Sequence, residues 1–262
     1  MKVVILCGGR GTRLGEETEI RPKPMVHIGN RPILWHIMKI YAHYGHKEFI
    51  TCLGYKGDVI KEYFRNYLWH TCDVTLSLNR SDDVEFHNRS ETSGLDWKVT
   101  LADTGLNSAT AYRIRMIEPY LGNDDMFMLT YGDGVADIDI NELVEFHRKT
   151  GKVCTISGVH PAGRFGEIGV EKDGLVTEFN EKPQAEGGYI NGGYMVCSRK
   201  FFDYLPDDPG MMLEQSPMRK LTADGQLAAR LHEGFWQPMD TQTESALLNR
   251  IWASGNAPWK IW

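Results

Sequence analysis

The residues best suited to chemistry come early, in Gly8-Gly9-Arg10-Gly11-Thr12-Arg13-Leu14, directly after the apolar run at residues 3–7. Glycines let a backbone approach a phosphate closely and aim several N–H groups into one concavity. Arg13 adds a planar guanidinium whose fork matches phosphate oxygens. Shortly after, Arg21-Pro22-Lys23-Pro24-Met25 sets one lysine between two prolines. Each ring fixes its own φ and restricts its predecessor, so the spacing predicts a stiff, extended segment. A lysine held there loses little entropy on meeting a triphosphate. Two common phosphate loops are excluded by the letters. Leu14 stands where a G-x-G-x-x-G run from Gly9 needs its last glycine, and no G-K-[ST] follows at P-loop spacing.

Two aspartates are placed where they could serve such a site. Asp133, in Tyr131-Gly132-Asp133-Gly134, follows a strand-like run, and ligands of open α/β sheets gather at strand ends. An Asp-Gly pair also fits an ordinary turn. Asp240, in Pro238-Met239-Asp240-Thr241, could equally be the N-cap of a C-terminal helix. The nine histidines form no H-E-x-x-H or similar spacing, and His36 and His147 read as structural helix residues. Cys7, Cys52, Cys72, Cys154 and Cys197 include no C-x-x-C pair, which argues against a disulfide framework or a zinc knuckle. All but Cys72 sit in apolar runs, where a thiol acts as a small hydrophobe.

The elements that must hold these residues alternate between strand-like and helix-like patterns, which favours a mostly parallel sheet covered by helices. Residues 3–7 read as a central buried strand. Residues 33–44 carry a broad apolar stripe at helical spacing, with Gly45 as its C′ residue. Further strands are expected at 49–53, 73–78, 97–101, 126–131 and 153–159. Helices are expected after Asp58 as N-cap, at 110–120 and at 140–149. Residues 81–94 are polar without a period and read as a loop. From 168 onward, short strands at 168–170, 175–179 and 189–197, with a Lys172-Asp173-Gly174 turn, predict a mixed or antiparallel second half. The tail, with Trp259 and Trp262, either packs back on its own domain or supplies an oligomer contact.

The 262 residues, 42% hydrophobic and 24% charged, suffice for a sizeable core. A formal net charge of −6 gives no overall basic field, so neither nucleic acid nor an anionic membrane is an expected partner. An anionic ligand must then be held by a local cluster of donors. The N-terminal apolar run is shorter than a signal core, and no run approaches a membrane span, so a cytoplasmic location is expected.

L-C-G-G-R-G-T-R-L followed by R-P-K-P-M-V resembles the signature of the sugar-phosphate nucleotidylyltransferases. The likeness runs along essentially the whole chain, through T-Y-G-D-G-V-A-D at 130–137, E-K-P at 181–183, I-N-G-G-Y at 190–194 and F-W-Q-P-M-D-T at 235–241. The last stretches, with A-P-W-K at 257–260, are similar to the cytidylyl branch. The resemblance implies a Rossmann-like α/β fold: a mixed, mostly parallel sheet with helices on both faces and a small antiparallel excursion. It implies one domain, with residues 1–150 holding the nucleotide, 151–240 the sugar phosphate, and 241–262 forming a C-terminal helix and tail. It implies Mg²⁺-dependent joining of CTP to glucose 1-phosphate with release of pyrophosphate.

Carried over residue by residue, the resemblance makes Leu6, Cys7, Gly8, Gly9, Arg10, Gly11, Thr12, Arg13, Lys23 and Gly132 nucleotide-binding, with Ser108, Thr110 and Arg113 as further nucleotide contacts. Arg13, Lys23 and Asp133 become the catalytic set, and Asp133 and Asp240 the paired metal ligands. Glu181, Lys182, Asn191 and Gly192 form the sugar-phosphate pocket: Lys182 meets the phosphate, Glu181 and Asn191 the ring hydroxyls. Arg164 either shapes that pocket or holds its own turn. The family also implies a homo-oligomer, of hexameric kind, serving dideoxy sugars of a bacterial surface polysaccharide. Two rivals stay open: the same chemistry with dTTP or UTP, and a non-catalytic nucleotide-binding regulatory subunit. Retention of Lys23 and both aspartates speaks against the second.

Overall fold

The protein is described from a computed structural model, which covers residues 1–11, 14–79, 83–88, 95–161, 167–170, 176–180 and 188–262. The chain opens with strand β1 (Val3–Leu6), helix α1 (Glu16–Ile20) and a 3₁₀ turn at Lys23–Met25. The short hairpin β2 (His27–Ile28) and β3 (Arg31–Pro32) leads into α2 (Ile33–His43), β4 (Glu48–Leu53), α3 (Gly57–Arg65) and α4 (Tyr67–Thr71). An outlying hairpin follows, β5 (Asp73–Leu76) with β6 (Val84–His87). Next come β7 (Lys98–Asp103), α5 (Thr110–Met116), β8 (Met126–Tyr131), β9 (Gly134–Ala136), α6 (Ile140–Thr150) and β10 (Cys154–Val159). The last part holds β11 (Glu167–Val170), β12 (Val176–Asn180), β13 (Ile190–Ser198), α7 (Ser216–Ala223), β14 (Leu227–His232), β15 (Trp236–Pro238) and α8 (Gln242–Ala253).

Seven of these strands form one sheet in the order β14-β10-β13-β8-β1-β4-β7. β1 runs parallel to both β4 and β8, β4 to β7, and β10 to β14. β13 alone in this sheet is antiparallel to its two neighbours, β8 and β10. The mixed, mostly parallel α/β sheet expected from the sequence is therefore what the chain builds. All four residues of β1 are buried, as a central strand covered on both faces requires. Its alternate side chains divide between two cores. Val3 and Ile5 pack with Ile33, Leu34 and Ile37 of α2, Leu143 of α6 and Leu248 of α8. Val4 and Leu6 face the other way, with Ile114 of α5, Leu221 of α7, and Phe201 and Phe202 of the 3₁₀ turn at Arg199–Tyr204. Each fully buried aliphatic of this kind stabilises the fold by roughly 1.5–3 kcal/mol.

Several expectations are corrected. Helix α3 begins at Gly57 and is entered through Lys56 in the left-handed region (φ 50°), so Asp58 lies in its first turn and does not cap it. The polar stretch after residue 81 contains a strand, β6, paired with β5; its alternation is too short to stand out from its neighbours. The helix expected at 110–120 stops at Met116, and a 3₁₀ turn at Glu118–Leu121, with Pro119 in its first positions, replaces the remainder. The turn at 172–174 lies outside the described residues.

The tail packs back on its own chain. Trp259 is fully buried, stacked near Phe235 and Trp252, and its indole N–H donates to His36 Nδ1 at 3.4 Å. That leaves His36 Nε2 to donate to the Ile28 carbonyl at 3.0 Å, and burial lowers the imidazole pKa to about 4. His36 and His147 are both structural: the latter is buried and bonded through Nδ1 to Thr155 Oγ1. All five cysteines are free thiols, and only Cys72 is not buried. Among the described residues no helix is long and apolar enough to cross a membrane.

Candidate active site

Three segments far apart in sequence meet where β1 and β8 end. The first carries Lys23. Pro22 is extended (φ −67°, ψ 152°), but the chain then turns: Lys23–Met25 make one 3₁₀ turn, closed by Met25 N–H to Pro22 O at 2.8 Å. The segment is stiff as its prolines require, yet not extended throughout, because Pro24 sits early in a helical turn, where a missing N–H does no harm.

The second and third segments carry the aspartates. β9 and β15 form a short antiparallel ladder that sets Pro238 opposite Gly134. Met239 N–H then donates to Asp133 O at 2.8 Å, which draws Asp240 alongside Asp133. Asp240 is not the helix cap. Thr241 takes that role for α8, in a capping box with Glu244. The Glu244 carboxylate also accepts the Asp240 N–H at 2.7 Å, fixing the backbone on which Asp240 is carried. With the capping taken over by Thr241, the Asp240 carboxylate turns to Lys23.

Between the aspartates lies the Lys23 ammonium, 2.5 Å from Asp133 Oδ2 and hydrogen-bonded to Asp240 Oδ1. Burial would lower the lysine pKa, but the two carboxylates outweigh it and hold the group above its ordinary value. Two carboxylates converging on one point have the oxygen chemistry that Mg²⁺ requires. Among the described residues no cluster of three or more His, Cys, Asp or Glu side chains could bind a metal. A two-carboxylate site suits Mg²⁺, which keeps several waters and binds phosphate oxygens.

A cavity of about 410 Å³ opens beside this triad. It is lined by Leu6, Cys7, Gly8, Gly9, Gly11, Lys23, Ser108, Thr110, Arg113, Gly132 and Asp133, all expected from the sequence. Arg10 is not in this lining; it is exposed and reaches Asn107 Oδ1 at 3.4 Å. Thr12 and Arg13 lie outside the described residues. Gly132 carries no Cβ for a plain reason: one would sit 2.7 Å from the Leu6 carbonyl oxygen.

Arg113 is buried, and its guanidinium donates to the carbonyls of Leu53 (3.0 Å), Gly105 (2.7 Å) and Gly8 (3.1 Å) and to Thr104 Oγ1 (2.8 Å). It binds the glycine loop, the end of β4 and the loop after β7 into one wall. Gly8 and Gly54 make room for it, since a Cβ at either would come within 2.5 Å of the guanidinium. Thr110 Oγ1 is likewise engaged, accepting from Leu213 N–H at 2.7 Å and donating to Glu214.

A smaller cavity of about 40 Å³ adjoins the first, lined by Asn191, Gly192, Thr130, Gly134, Tyr194 and Trp236. Tyr131 and Asp133 line both cavities and mark where they meet. Asn191 Oδ1 accepts from Gly193 N–H at 3.0 Å, and the Trp236 indole donates to Gly192 O at 2.7 Å. Glu181, Lys182 and Arg164 lie outside the described residues. Sequence reading missed Tyr131, Met212, Glu214 and Trp236 as lining or bracing groups. Tyr131 donates its hydroxyl to Glu214; burial, then the nearby carboxylate, push its pKa well above the ordinary tyrosine value. Met212 belongs to a segment tied to the cavity rim by Ala109 N–H to Pro209 O at 2.7 Å. No motif marks that segment. Trp236 and Tyr131, by contrast, stand inside stretches already singled out.

The sequence profile of the family described as nucleotidyl transferase matches residues 2–251. Glucose-1-phosphate cytidylyltransferases of Salmonella typhi and Salmonella typhimurium are each 48% identical over 262 residues, covering 100% of both chains. Among solved structures, HddC from Yersinia pseudotuberculosis aligns with a TM-score of 0.66 at 22% identity, over 96% of this chain and 99% of that one. That likeness shows a shared fold.

Proposed function

The chain belongs to the nucleotidyl transferase family, and from that membership we propose that it transfers a cytidylyl group from CTP to α-D-glucose 1-phosphate, giving CDP-glucose and pyrophosphate. The observation that carries the chemistry is that two cavities share Asp133, whose carboxylate the Lys23 ammonium bridges to Asp240. A nucleotide in the larger cavity would present its phosphates there to a sugar phosphate lying along the Asn191, Gly192 and Trp236 side. Full-length identity to the Salmonella cytidylyltransferases supports CTP and glucose 1-phosphate as the pair.

The reaction is a single in-line displacement. A phosphate oxygen of the sugar attacks the α-phosphorus of CTP, the bond from that phosphorus to the β-phosphate bridge breaks, and pyrophosphate leaves. The attacking phosphate is already ionised near neutral pH, so no general base is needed. Amide N–H groups of Gly8 to Thr12, with Arg13, would cradle the triphosphate. Lys23 meets phosphate oxygens, and Lys182 meets the sugar's phosphate. Asp133 and Asp240 would hold Mg²⁺, which would supply neutralisation of charge where the two anions approach. The protein thus works by positioning and electrostatics, with no covalent intermediate.

The test is a nucleotide panel. With glucose 1-phosphate as acceptor, pyrophosphate release is measured using CTP, dTTP and UTP. The reading predicts fast release with CTP, and rates lower by about a hundredfold or more with the others, the scale set by a few base contacts. Equal or faster release with dTTP or UTP would reassign the donor. No release with any nucleotide would remove the enzyme reading.

A further inference from the structure

We infer that Lys23 is the resident counter-ion of the metal site: its ammonium holds Asp133 and Asp240 together until a divalent ion and a triphosphate displace it jointly. The inference rests on the reading of the two aspartates as metal ligands and specifies how that site is loaded.

The argument starts from competition for space. Mg²⁺ takes carboxylate oxygens at about 2.0–2.1 Å. An ammonium 2.5 Å from Asp133 and bonded to Asp240 occupies the same ground, and like charges cannot share it. Lysine is suited to yield because its charge rides on a flexible four-carbon stem. That stem already lies against the phosphate cradle: a Cβ on Gly11 would stand 3.0 Å from the Lys23 Cβ and 3.6 Å from its Cδ. Leaving the carboxylates, the ammonium therefore turns into the larger cavity, where the triphosphate would be.

Metal alone gains two carboxylates but strips a largely buried ammonium of its partners, which opposes loading. Metal with triphosphate supplies the displaced ammonium with new anionic partners. Ion and nucleotide then favour each other's binding, and the coupling is reciprocal. In the free protein the same ammonium keeps two neighbouring carboxylates from repelling each other.

The experiment measures Mn²⁺ binding, by the signal of free Mn²⁺ in electron paramagnetic resonance, with and without α,β-methylene CTP. Wild type, Lys23→Met and Asp133→Asn are compared. Wild type should bind Mn²⁺ weakly alone and about tenfold or more tightly with the analogue. Lys23→Met should bind Mn²⁺ alone about tenfold more tightly than wild type, and gain far less from the analogue. Lys23→Gln repeats the comparison, and Mn²⁺ alone should raise the unfolding temperature of either Lys23 variant more than that of wild type. Equal or weaker Mn²⁺ affinity in both Lys23 variants overturns the inference. Unchanged Mn²⁺ binding in Asp133→Asn is a different failure: it removes the metal site itself, and the inference with it.

Discussion

Arg113 is a buried guanidinium surrounded by carbonyls, and it fixes one wall of the larger cavity. Its fork reaches Gly8, Leu53 and Gly105 at once, so three loops are held at fixed spacing by one planar group. Burial lowers its pKa, yet a guanidinium stays charged, and that charge remains in the wall of the larger cavity. Lysine cannot replace it, being a point charge without the fork. Arg113→Lys should leave buried carbonyls unpaired and loosen the glycine loop, at roughly 1–3 kcal/mol for each lost partner. The expected outcome is a nucleotide kcat/KM lower by about a hundredfold, with the glucose 1-phosphate KM nearly unchanged, read by steady-state kinetics varying each substrate. Unchanged nucleotide kinetics would make Arg113 a bystander of the pocket. The sequence marked Arg113 only by family likeness, because its partners are backbone carbonyls, which carry no letter. Lys23 was legible for the opposite reason: flanking prolines state a backbone constraint in the residue names themselves.

At the scale of elements, α8 is the strut that relates Asp240 to Lys23. Its first residues follow Asp240 directly, and its far end grips the hairpin after Lys23. The Asn249 carboxamide accepts from Gly29 N–H at 2.8 Å and donates to His27 O at 3.1 Å. Trp252 closes on the same turn, so that a Cβ on Gly29 would meet its indole at 2.4 Å. Asn249→Leu keeps the helix but removes both bonds, together with the one the amide donates to Ser245 O within α8. The prediction is a kcat lower by about tenfold and a raised metal half-saturation, with substrate KM values little changed, consistent with the loss of these hydrogen bonds. A lower unfolding temperature with wild-type kcat would assign Asn249 to stability alone. The capping box of α8 could have been read directly, since Thr241 and Glu244 stand at the T-x-x-E spacing before an apolar run. The β9–β15 ladder could not. Its strands are three residues each and distant in sequence, so neither periodicity nor turn chemistry announces the pairing.

For the whole molecule, the design is convergence at the ends of a parallel sheet. β1 delivers the glycine loop, β8 delivers Asp133, and the β15–α8 junction delivers Asp240, while two cores on opposite faces keep the strands in register. The long apolar strands and α2 were readable because burial on both faces leaves a continuous apolar run, and a helix stripe leaves a 3.6-residue period. Strand β5 was readable from its alternation over 73–78, but its partner β6 and the 209–214 rim were not, being short, polar or aperiodic. Trp259 packs back on its own chain because His36 offers it a buried acceptor that no pattern in the tail could reveal.

The claim on which all of this depends is that Asp133 and Asp240 act together at the point where two phosphates meet. It is tested by pyrophosphate release from CTP and glucose 1-phosphate at saturating Mg²⁺, in Asp133→Asn and Asp240→Asn beside the wild type. The account predicts that each variant keeps a folded, cooperative thermal transition while kcat falls by about 10²–10³-fold or more. A folded Asp133→Asn protein turning over near the wild-type rate would contradict it.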